Sequence, residues 1–478
     1  MPKHLVALFA AVATTACLVA GCGGGSDTAA APGSPTPPPP GPARGTLTGT
    51  ENLSTKTTAE IDAFNASGGM GPTAPGETAS CAASLRQIDY ASVDPQGLAV
   101  TASAGLLVPV APPGASAALA AACTVGRPLL SFQHGTSDTV GFEGANAHGT
   151  LSQTLAMYFV SHGYVVVVPD YLGYGASIGH YHPYVVADAE ATTVIDAVRA
   201  ARNWIASNDG IASGVTLSGQ LFLSGTSEGG YVTMATHRAM ERDFPTEFTI
   251  TADVPISGPY DLTTEVLDDL AFADSTHNEE AGATAFLLSG MQGTYGDIWM
   301  SANEVFQPPW DATAANLFPS ATFGDDQAAI AACQIPFNIT TSPSPPEGSC
   351  ARTPLLQPGF VTDFNAATPG TAGGVARGHV DDNDLLQGWV NGGRNLAPMT
   401  VCYGSPDTTA ALNATAARDF FHIDAIDVQT TGPDFITQWM VYVTANPGQL
   451  EYHGGIEAPG CTAYARYQVF DAYVGIVP

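Results

Sequence analysis

The chain has 478 residues, of which 45% are hydrophobic and only 12% are charged. This length allows a large core, arranged as one domain with a big insertion or as two domains. Acidic residues outnumber basic ones by 44 to 14, which gives a formal net charge of −30. Because phosphate groups are bound by clusters of Lys and Arg, this charge argues against nucleic acids, anionic membrane surfaces and polyanionic substrates as partners.

The first 22 residues are predicted to direct export. A polar start is followed by the mostly apolar residues 5–18, a stretch too short to span a bilayer and typical of a signal-peptide core. Residues 19–22 have the sequence Val-Ala-Gly-Cys and resemble the bacterial lipobox. This resemblance implies a lipid anchor on Cys22, with an ordinary signal peptide as the alternative. No other stretch is apolar enough to cross a bilayer, so contact with a membrane is expected only through this anchor.

Residues 23–45 are rich in Gly, Pro, Ala, Ser and Thr and contain almost no large apolar side chain. Such a segment cannot bury enough apolar surface to fold. It is predicted to be a disordered linker between Cys22 and the folded body.

Cysteine usage supports the prediction of an exported protein. Leaving aside Cys17 and Cys22, an even number of six remains, which favours disulfides, although spacing alone does not determine the pairing. Pairing of neighbours is expected, which gives Cys81–Cys123, Cys333–Cys350 and Cys402–Cys461. None has the C-x-x-C spacing of a zinc site.

The chain from residue 85 onwards alternates apolar strands with helices. Strands are predicted at 85–90, 99–110, 128–133, 163–169, 221–223 and 249–257, and helices at 186–207 and 231–243. The first two strands form a hairpin, because Asp94-Pro95-Gln96-Gly97 between them is a turn sequence. The fourth contains four successive valines, as expected for a strand that is buried on both faces. This alternation predicts a mostly parallel sheet with helices on both sides.

Residues 221–230, LFLSGTSEGG, contain the G-x-S-x-G pattern between a predicted strand and a predicted helix. In that context the pattern is a nucleophile elbow, a tight turn that exposes the hydroxyl of Ser227. Gly225 and Gly229 have no Cβ, which lets the strand and the helix pass close to the serine. The helix N-terminus behind Ser227 favours negative charge that develops during a reaction.

Three motifs together resemble the α/β-hydrolase fold: SFQHGT at 131–136, GYVVVVPDYLGYG at 163–175 and GTSEGG at 225–230. Within that superfamily the chain looks most like the secreted bacterial and fungal lipases and esterases. The resemblance covers about residues 85–261. It implies a sheet flanked by helices and a cap over the active site.

The long segment 262–396 interrupts the predicted sheet and is predicted to be this cap, mainly helical, since a structureless loop of that length is improbable. Residues 46–261 and 397–478 then form the hydrolase core. The sheet resumes with a strand at 398–403, a helix at 410–421 and a last strand at 423–428. Apolar side chains at helical spacing between 435 and 443, and a closing helix at 464–473, end the chain.

The activated serine needs a histidine base, and in α/β-hydrolases that histidine comes last in chain order. Of eleven histidines, six precede Ser227 and two lie in the cap, which leaves His237, His422 and His453. His237 is on the elbow helix and points away, and His422 opens the last strand. His453 is the candidate, in a predicted loop that contains Gly454 and Gly455.

The acid that orients the histidine is predicted to be Asp407, which follows the strand at 398–403 in a Gly-Ser-Pro-Asp turn, where the family places its acid. Asp261, Asp424 and Asp427 are the alternatives.

The oxyanion hole is expected to use the backbone N–H of Glu228, the residue after the nucleophile, and that of Thr136 or Gly135. Asp170 and Tyr171 follow the four-valine strand and are expected in the pocket wall. Trp439 either packs in the core or lines an acyl pocket.

The sequence therefore predicts an exported serine ester hydrolase, with Ser227, His453 and Asp407 as its triad and an uncharged ester as its substrate. No cofactor is expected. His180 and His182 lack further ligands at matching positions, so no metal site is predicted. A serine peptidase of the same fold and a non-catalytic surface binding lipoprotein are the alternatives.

Overall fold

The protein was analysed as a computed structural model, which describes residues 42–67, 71–271, 280–336, 353–393, 396–448, 450 and 452–474. The predicted signal segment with Cys22, most of the linker, and Cys350 lie outside the described residues. The lipid anchor and the Cys333–Cys350 bridge therefore stay predictions.

A nine-stranded sheet forms the centre of the fold, in the order β1-β2-β3-β5-β4-β6-β7-β8-β9. Its strands are β1 (Leu47–Lys56), β2 (Ala82–Val93), β3 (Ala99–Val110), β4 (Arg127–Gln133), β5 (Val165–Pro169), β6 (Leu217–Thr226), β7 (Ala252–Ile256), β8 (Thr400–Tyr403) and β9 (Asp424–Asp427). Pairing is antiparallel from β1 to β5. It is parallel from β5 through β4 to β9.

Helices cover the sheet and fill the long connection between β7 and β8. The described α-helices are α1 (Thr58–Ala66), α2 (Ala117–Thr124), α3 (Thr150–Tyr158), α4 (Ala187–Ala206), α5 (Asn208–Ser213), α6 (Glu228–Asp243), α7 (Leu262–Ala271), α8 (Glu280–Tyr295), α9 (Asp326–Ala331), α10 (Pro358–Asn365), α11 (Ala372–Asn383), α12 (Thr408–Phe421), α13 (Asp434–Ala445) and α14 (Ala458–Tyr464). The fold is that of an α/β-hydrolase with helical insertions, as predicted.

The central strands are buried on both faces, which explains their continuous apolar sequences. Val165 and Val167 belong to one buried cluster, whereas Val166 and Val168 belong to the cluster on the opposite face. The same alternation places Phe222 on the face opposite its neighbours in β6. Both faces of these strands are therefore covered by packed side chains.

The predicted hairpin is confirmed, since β2 and β3 pair in continuous register from Ala82–Val110 to Val93–Ala99. Strand β1 was not predicted, because its sequence LTGTENLSTK is polar and lies at the sheet edge. The prediction of a loop around His453 is wrong. Residues His453–Glu457 form a π-helical turn that runs directly into α14, because the buried Ile456 and Cys461 draw this segment onto the core despite its two glycines.

Two of the predicted disulfides are confirmed, Cys81–Cys123 and Cys402–Cys461. The second joins β8 to α14. It therefore links the strand that precedes Asp407 to the helix that follows His453. Among the described residues, no helix combines the length and the apolarity needed to cross a bilayer.

Candidate active site

Ser227 stands alone between the end of β6 at Thr226 and the start of α6 at Glu228. Its backbone has φ 59° and ψ −123°, a conformation that costs energy for a residue with a side chain. The serine N–H donates to Ile256 O at 2.9 Å, and its carbonyl accepts from Gly230 N–H at 2.8 Å. The neighbouring elements thus hold the serine at the turn that the motif predicted.

Close packing at the elbow accounts for its glycines. A Cβ added to Gly229 would collide with the backbone oxygen of Gln133, the last residue of β4, and would lie 2.5 Å from that of His134, which follows it. Gly135 is close as well, since its Cβ would lie 3.5 Å from the Cβ of Ser227. The turn that follows β4 therefore lies against the serine.

His453 and Asp407 form a hydrogen-bonded pair, with 2.6 Å between His453 Nδ1 and Asp407 Oδ2. The histidine side chain is 38% exposed, whereas that of Asp407 is 16% exposed. The other oxygen of Asp407 accepts from Ala410 N–H at 2.9 Å and so caps α12. Burial alone would raise the pKa of Asp407, but its hydrogen bond to His453 and the charge of that ring hold the pKa below its ordinary value.

A cavity of about 650 Å³ brings the predicted triad together, because Ser227, Asp407 and His453 all line it. Helices α7 and α8 contribute Glu265 and Phe286 to its wall. Part of the predicted cap therefore encloses the cavity.

The predicted oxyanion donors lie in the same cavity. Glu228 is the first residue of α6, so its N–H belongs to the first turn, which has no partner within the helix. Gly135 and Thr136 line the cavity beside Ser227. The Thr136 hydroxyl lies 3.1 Å from the hydroxyl of Tyr184, an interaction that supports the turn.

The side chain of Glu228 points away from the cavity into a buried polar cluster. Its Oε1 lies 2.8 Å from His182 Nε2, and the other ring nitrogen lies 2.9 Å from Leu172 O, to which it must donate. Glu190 is the third member, with Oε1 at 3.5 Å from His182 Nε2. All three side chains are fully buried. A negative Glu228 thus does not oppose the developing oxyanion from within the cavity.

The charges within this cluster follow from burial and proximity. Burial, and then the charge of Glu228, raise the pKa of Glu190 well above its ordinary value, so Glu190 carries a proton. Burial opposes the ionisation of Glu228 as well, but the ring of His182 lowers the pKa of Glu228 below its ordinary value. The cluster therefore places an ionised Glu228 against the His182 ring, whose Nδ1–H donates to Leu172 O.

We expect His182→Leu to lower the free energy of unfolding by about 3 kcal/mol or more, because it leaves the Glu228 carboxylate buried and unpaired. Urea unfolding monitored by circular dichroism measures this loss. The double variant His182→Leu/Glu228→Leu should lose less, since it removes the unpaired charge as well. Equal or greater loss in the double variant would contradict an ionised Glu228.

Among the residues that the structure describes, two side-chain clusters have ligand atoms within 4.8 Å of one another, as a metal site requires: His182–Glu190–Glu228 and Asp407–His453–Glu457. In each cluster a direct hydrogen bond joins two of these atoms, at 2.8 Å and 2.6 Å respectively. Hydrogen bonding accounts for both arrangements without an ion.

Comparison with known proteins identifies the class of hydrolase. Residues 145–308 match the model of the secretory lipase family. The esterase LipA from Xanthomonas oryzae, described as a rice cell-wall-degrading esterase, is 30% identical, with a TM-score of 0.71. The alignment covers 90% of this chain and 100% of LipA. The chain belongs to this lipase and esterase family.

More distant structures share the fold of this esterase family. A hydrolase from Legionella pneumophila is 19% identical over 88% of this chain and 99% of its own, with a TM-score of 0.62. Lipase A from Candida antarctica, in its closed state, is 13% identical over 87% of this chain and 86% of its own, with a TM-score of 0.51. No curated protein matches the chain.

Three predicted substrate-binding residues lie elsewhere in this hydrolase. Asp170 is fully buried and accepts from the N–H groups of Glu143 and Gly144 at 2.8 and 2.7 Å, so its carboxylate shapes the loop between β4 and α3. The hydroxyl of Tyr171 donates to His134 O at 2.9 Å. Trp439 is part of α13 and packs against the hydrophobic core. The cavity lining includes none of the three, so their role in binding substrate stays a prediction that the cavity geometry does not support.

The alternative histidines and acids have other partners. His237 is buried, with Nδ1 at 3.1 Å from Asp253 Oδ1, and His422 ends α12 in a left-handed conformation. Asp261 accepts from Thr264 N–H at 3.3 Å, and Asp427 accepts from Ser405 N–H at 3.1 Å. These contacts are typical of structural residues.

Sequence reasoning missed Glu457, whose Oε2 lies 3.6 Å from His453 Nδ1. The spacing of four residues could have indicated it, but only if the segment had been predicted as helical rather than as a loop. His182 and Glu190 were missed as partners of Glu228 because they come together only through the tertiary fold.

Proposed function

We propose that this member of the lipase and esterase family is a serine hydrolase that cleaves uncharged carboxylic esters through an acyl-enzyme. The proposal depends chiefly on one observation: the elbow serine and the His453–Asp407 pair line a single cavity. A serine hydroxyl becomes a competent nucleophile when a histidine accepts its proton and a carboxylate orients that histidine.

In this mechanism, Ser227 Oγ attacks the ester carbonyl carbon while His453 Nε2 accepts its proton. Asp407 keeps the proton of His453 on Nδ1 and stabilises the imidazolium. The N–H groups of Glu228 and of Gly135 or Thr136 bind the oxyanion. When the tetrahedral intermediate collapses, His453 protonates the leaving alcohol. Water, activated by the same histidine, then cleaves the acyl-serine ester and releases the acid.

An uncharged substrate fits the charges around the cavity. Asp138, Glu265 and Asp407 line it together with apolar groups such as Phe286, and the chain as a whole carries a net charge of −30. An anionic ester would be repelled. A cavity of about 650 Å³ accommodates acyl glycerols, short-to-medium acyl esters or polyester fragments.

Export is the second part of the proposal. The two disulfides, Cys81–Cys123 and Cys402–Cys461, are of the kind that persists in oxidising compartments. Lipidation of Cys22 would anchor the enzyme at the cell envelope through the linker. Mass spectrometry of the mature N-terminus tests this: an acylated cysteine at position 22 supports the anchor, and an unmodified N-terminus contradicts it.

Covalent labelling tests the serine mechanism without knowledge of the natural substrate. A fluorophosphonate probe should label wild type stoichiometrically at Ser227, as located by peptide mass mapping, and should fail to label Ser227→Ala. Labelling of a different residue would overturn the assignment, and no labelling of wild type would favour the non-catalytic binding protein.

A substrate panel defines the ester and its acyl chain. p-Nitrophenyl esters of increasing chain length separate a lipase from a short-chain esterase. A cell-wall preparation belongs in the same panel, because the Xanthomonas oryzae relative is described as a cell-wall-degrading esterase. Turnover of peptide anilides with little ester hydrolysis would instead indicate a peptidase.

A further inference from the structure

His453 Nδ1 faces two carboxyl groups rather than one. Asp407 Oδ2 lies at 2.6 Å and Glu457 Oε2 at 3.6 Å. Glu457 is four residues after His453 in the π-helical turn, so one rigid segment carries both side chains. Asp407 reaches the same nitrogen from the start of α12.

The side chain of Glu457 is fixed by burial and by hydrogen bonds. Its side chain is fully buried. Its Oε1 accepts from Ser257 Oγ–H and from Gly404 N–H, the latter at 2.6 Å. Its Oε2 has no hydrogen-bond partner among the described residues, and a buried oxygen without a partner is costly. A proton on Oε2, directed towards Asp407, removes that cost.

The base function of His453 requires that only one of the two carboxyls is ionised. Although burial opposes protonation of the ring, Asp407 and Glu457 together raise the pKa of His453 to about 10. A ring that stays protonated at neutral pH cannot accept the Ser227 proton. Burial raises the pKa of Glu457, the hydrogen bond with the His453 ring opposes that rise, and the charge of Asp407 adds to it, so the net shift is upward. The pKa of Asp407 is instead held below its ordinary value, so Glu457 is the carboxyl that binds a proton more readily.

The other titratable groups near Glu457 are Tyr260 and Tyr452. Burial raises the pKa of each phenol above its ordinary value, so both stay neutral through the working range. Among the described residues, the proton equilibrium at this place therefore involves Asp407, Glu457 and His453.

We infer that Glu457 is a second carboxyl of the active site. While Glu457 itself is protonated, it positions His453. When Asp407 is removed, Glu457 becomes the carboxylate that orients His453. The inference rests on the proposed serine mechanism and adds a positioning residue to it. In the absence of Asp407, the neighbouring negative charge is lost, Glu457 ionises, and it accepts the Nδ1–H of His453.

A double-mutant cycle tests this with p-nitrophenyl butyrate. Asp407→Ser keeps an N-cap oxygen for α12 while it removes the carboxylate. Glu457→Gln keeps an acceptor for Ser257 and a donor towards Asp407. In the wild-type background it should therefore lower kcat/KM by no more than about fivefold. Glu457→Ala, which keeps neither group, should lower kcat/KM much further. In the Asp407→Ser background, Glu457→Gln should lower kcat/KM by a further ~30-fold or more.

The pH profile distinguishes positioning from a structural role. Asp407→Ser should keep the acidic limb of kcat/KM near that of wild type, because Glu457 then stabilises the imidazolium. In the double variant, no carboxylate does so, and the limb should move to lower pH by about one unit or more. Glu241→Gln is a matched control, because Glu241 follows His237 by four residues and its Oε1 lies 3.1 Å from His237 Nε2. Neither of these residues lines the cavity.

An equal effect of Glu457→Gln in both backgrounds, or an Asp407→Ser variant no more active than the double variant, would overturn the inference. Thermal melts of every variant identify losses that come from unfolding. The serine mechanism is tested separately with Ser227→Ala, and activity retained by that variant would contradict it. None of the comparisons above includes Ser227→Ala.

Discussion

Ser227→Ala is expected to lower kcat/KM for p-nitrophenyl butyrate by at least about 10⁴-fold, with no loss of folded structure. The methyl group fits where the hydroxyl was, and the backbone bonds of residue 227 to Ile256 and Gly230 remain. Only the nucleophile is removed, so KM should change much less than kcat. Initial rates over a range of substrate concentrations measure the two separately.

A matched control comes from the same strand. Ser218 lies near the exposed start of β6, away from the cavity, and Ser218→Ala should leave kcat/KM within about twofold of wild type. His453→Ala should be nearly as inactive as Ser227→Ala, because triad members act as a unit. If His453→Ala stayed active while Ser227→Ala did not, the serine would be right and the base misassigned. Activity retained by Ser227→Ala would exclude the serine mechanism.

Sequence reasoning succeeded where a local pattern imposes a local geometry. The elbow needs a strand, a strained serine and glycines on either side, and all of these lie within ten residues. Asp407 was predicted from the strand and turn before it together with the resemblance to the α/β-hydrolases, which place their acid there, and the structure puts it 2.6 Å from His453 Nδ1. The pairing of Cys402 with Cys461 was expected because the two are neighbouring cysteines in the chain.

The missed features depend on contacts between distant parts of the chain. Glu228 is an acidic residue beside the predicted oxyanion hole, and only the tertiary fold brings His182 and Glu190 around its side chain. Glu457 could not be recognised while Gly454 and Gly455 indicated a loop, because helix propensity is a weak guide where a segment packs on the core. Strand β1 has a polar sequence and is specified by its pairing with β2 rather than by apolar alternation.

Gly229→Ala should destabilise the protein by about 3 kcal/mol or more and abolish ester hydrolysis, although it adds only one methyl group. The added Cβ would collide with Gln133 O and lie 2.5 Å from His134 O. Gln133 is the last residue of β4, His134 follows it, and Gln133 is paired with Gly225 of β6. Relief of the clash must therefore move α6 away from the sheet, and with it the N–H of Glu228.

The matched substitution is Gly378→Ala, in the middle of α11, where a Cβ meets no atom within 4 Å. Because alanine favours the helix over glycine, this variant should gain up to about 1 kcal/mol. Urea unfolding of both variants separates a clash from a general effect of replacing glycine. If Gly229→Ala folds with wild-type stability and activity, the close approach of β4 and α6 is not what requires glycine there, and the elbow tolerates a wider gap than its contacts imply.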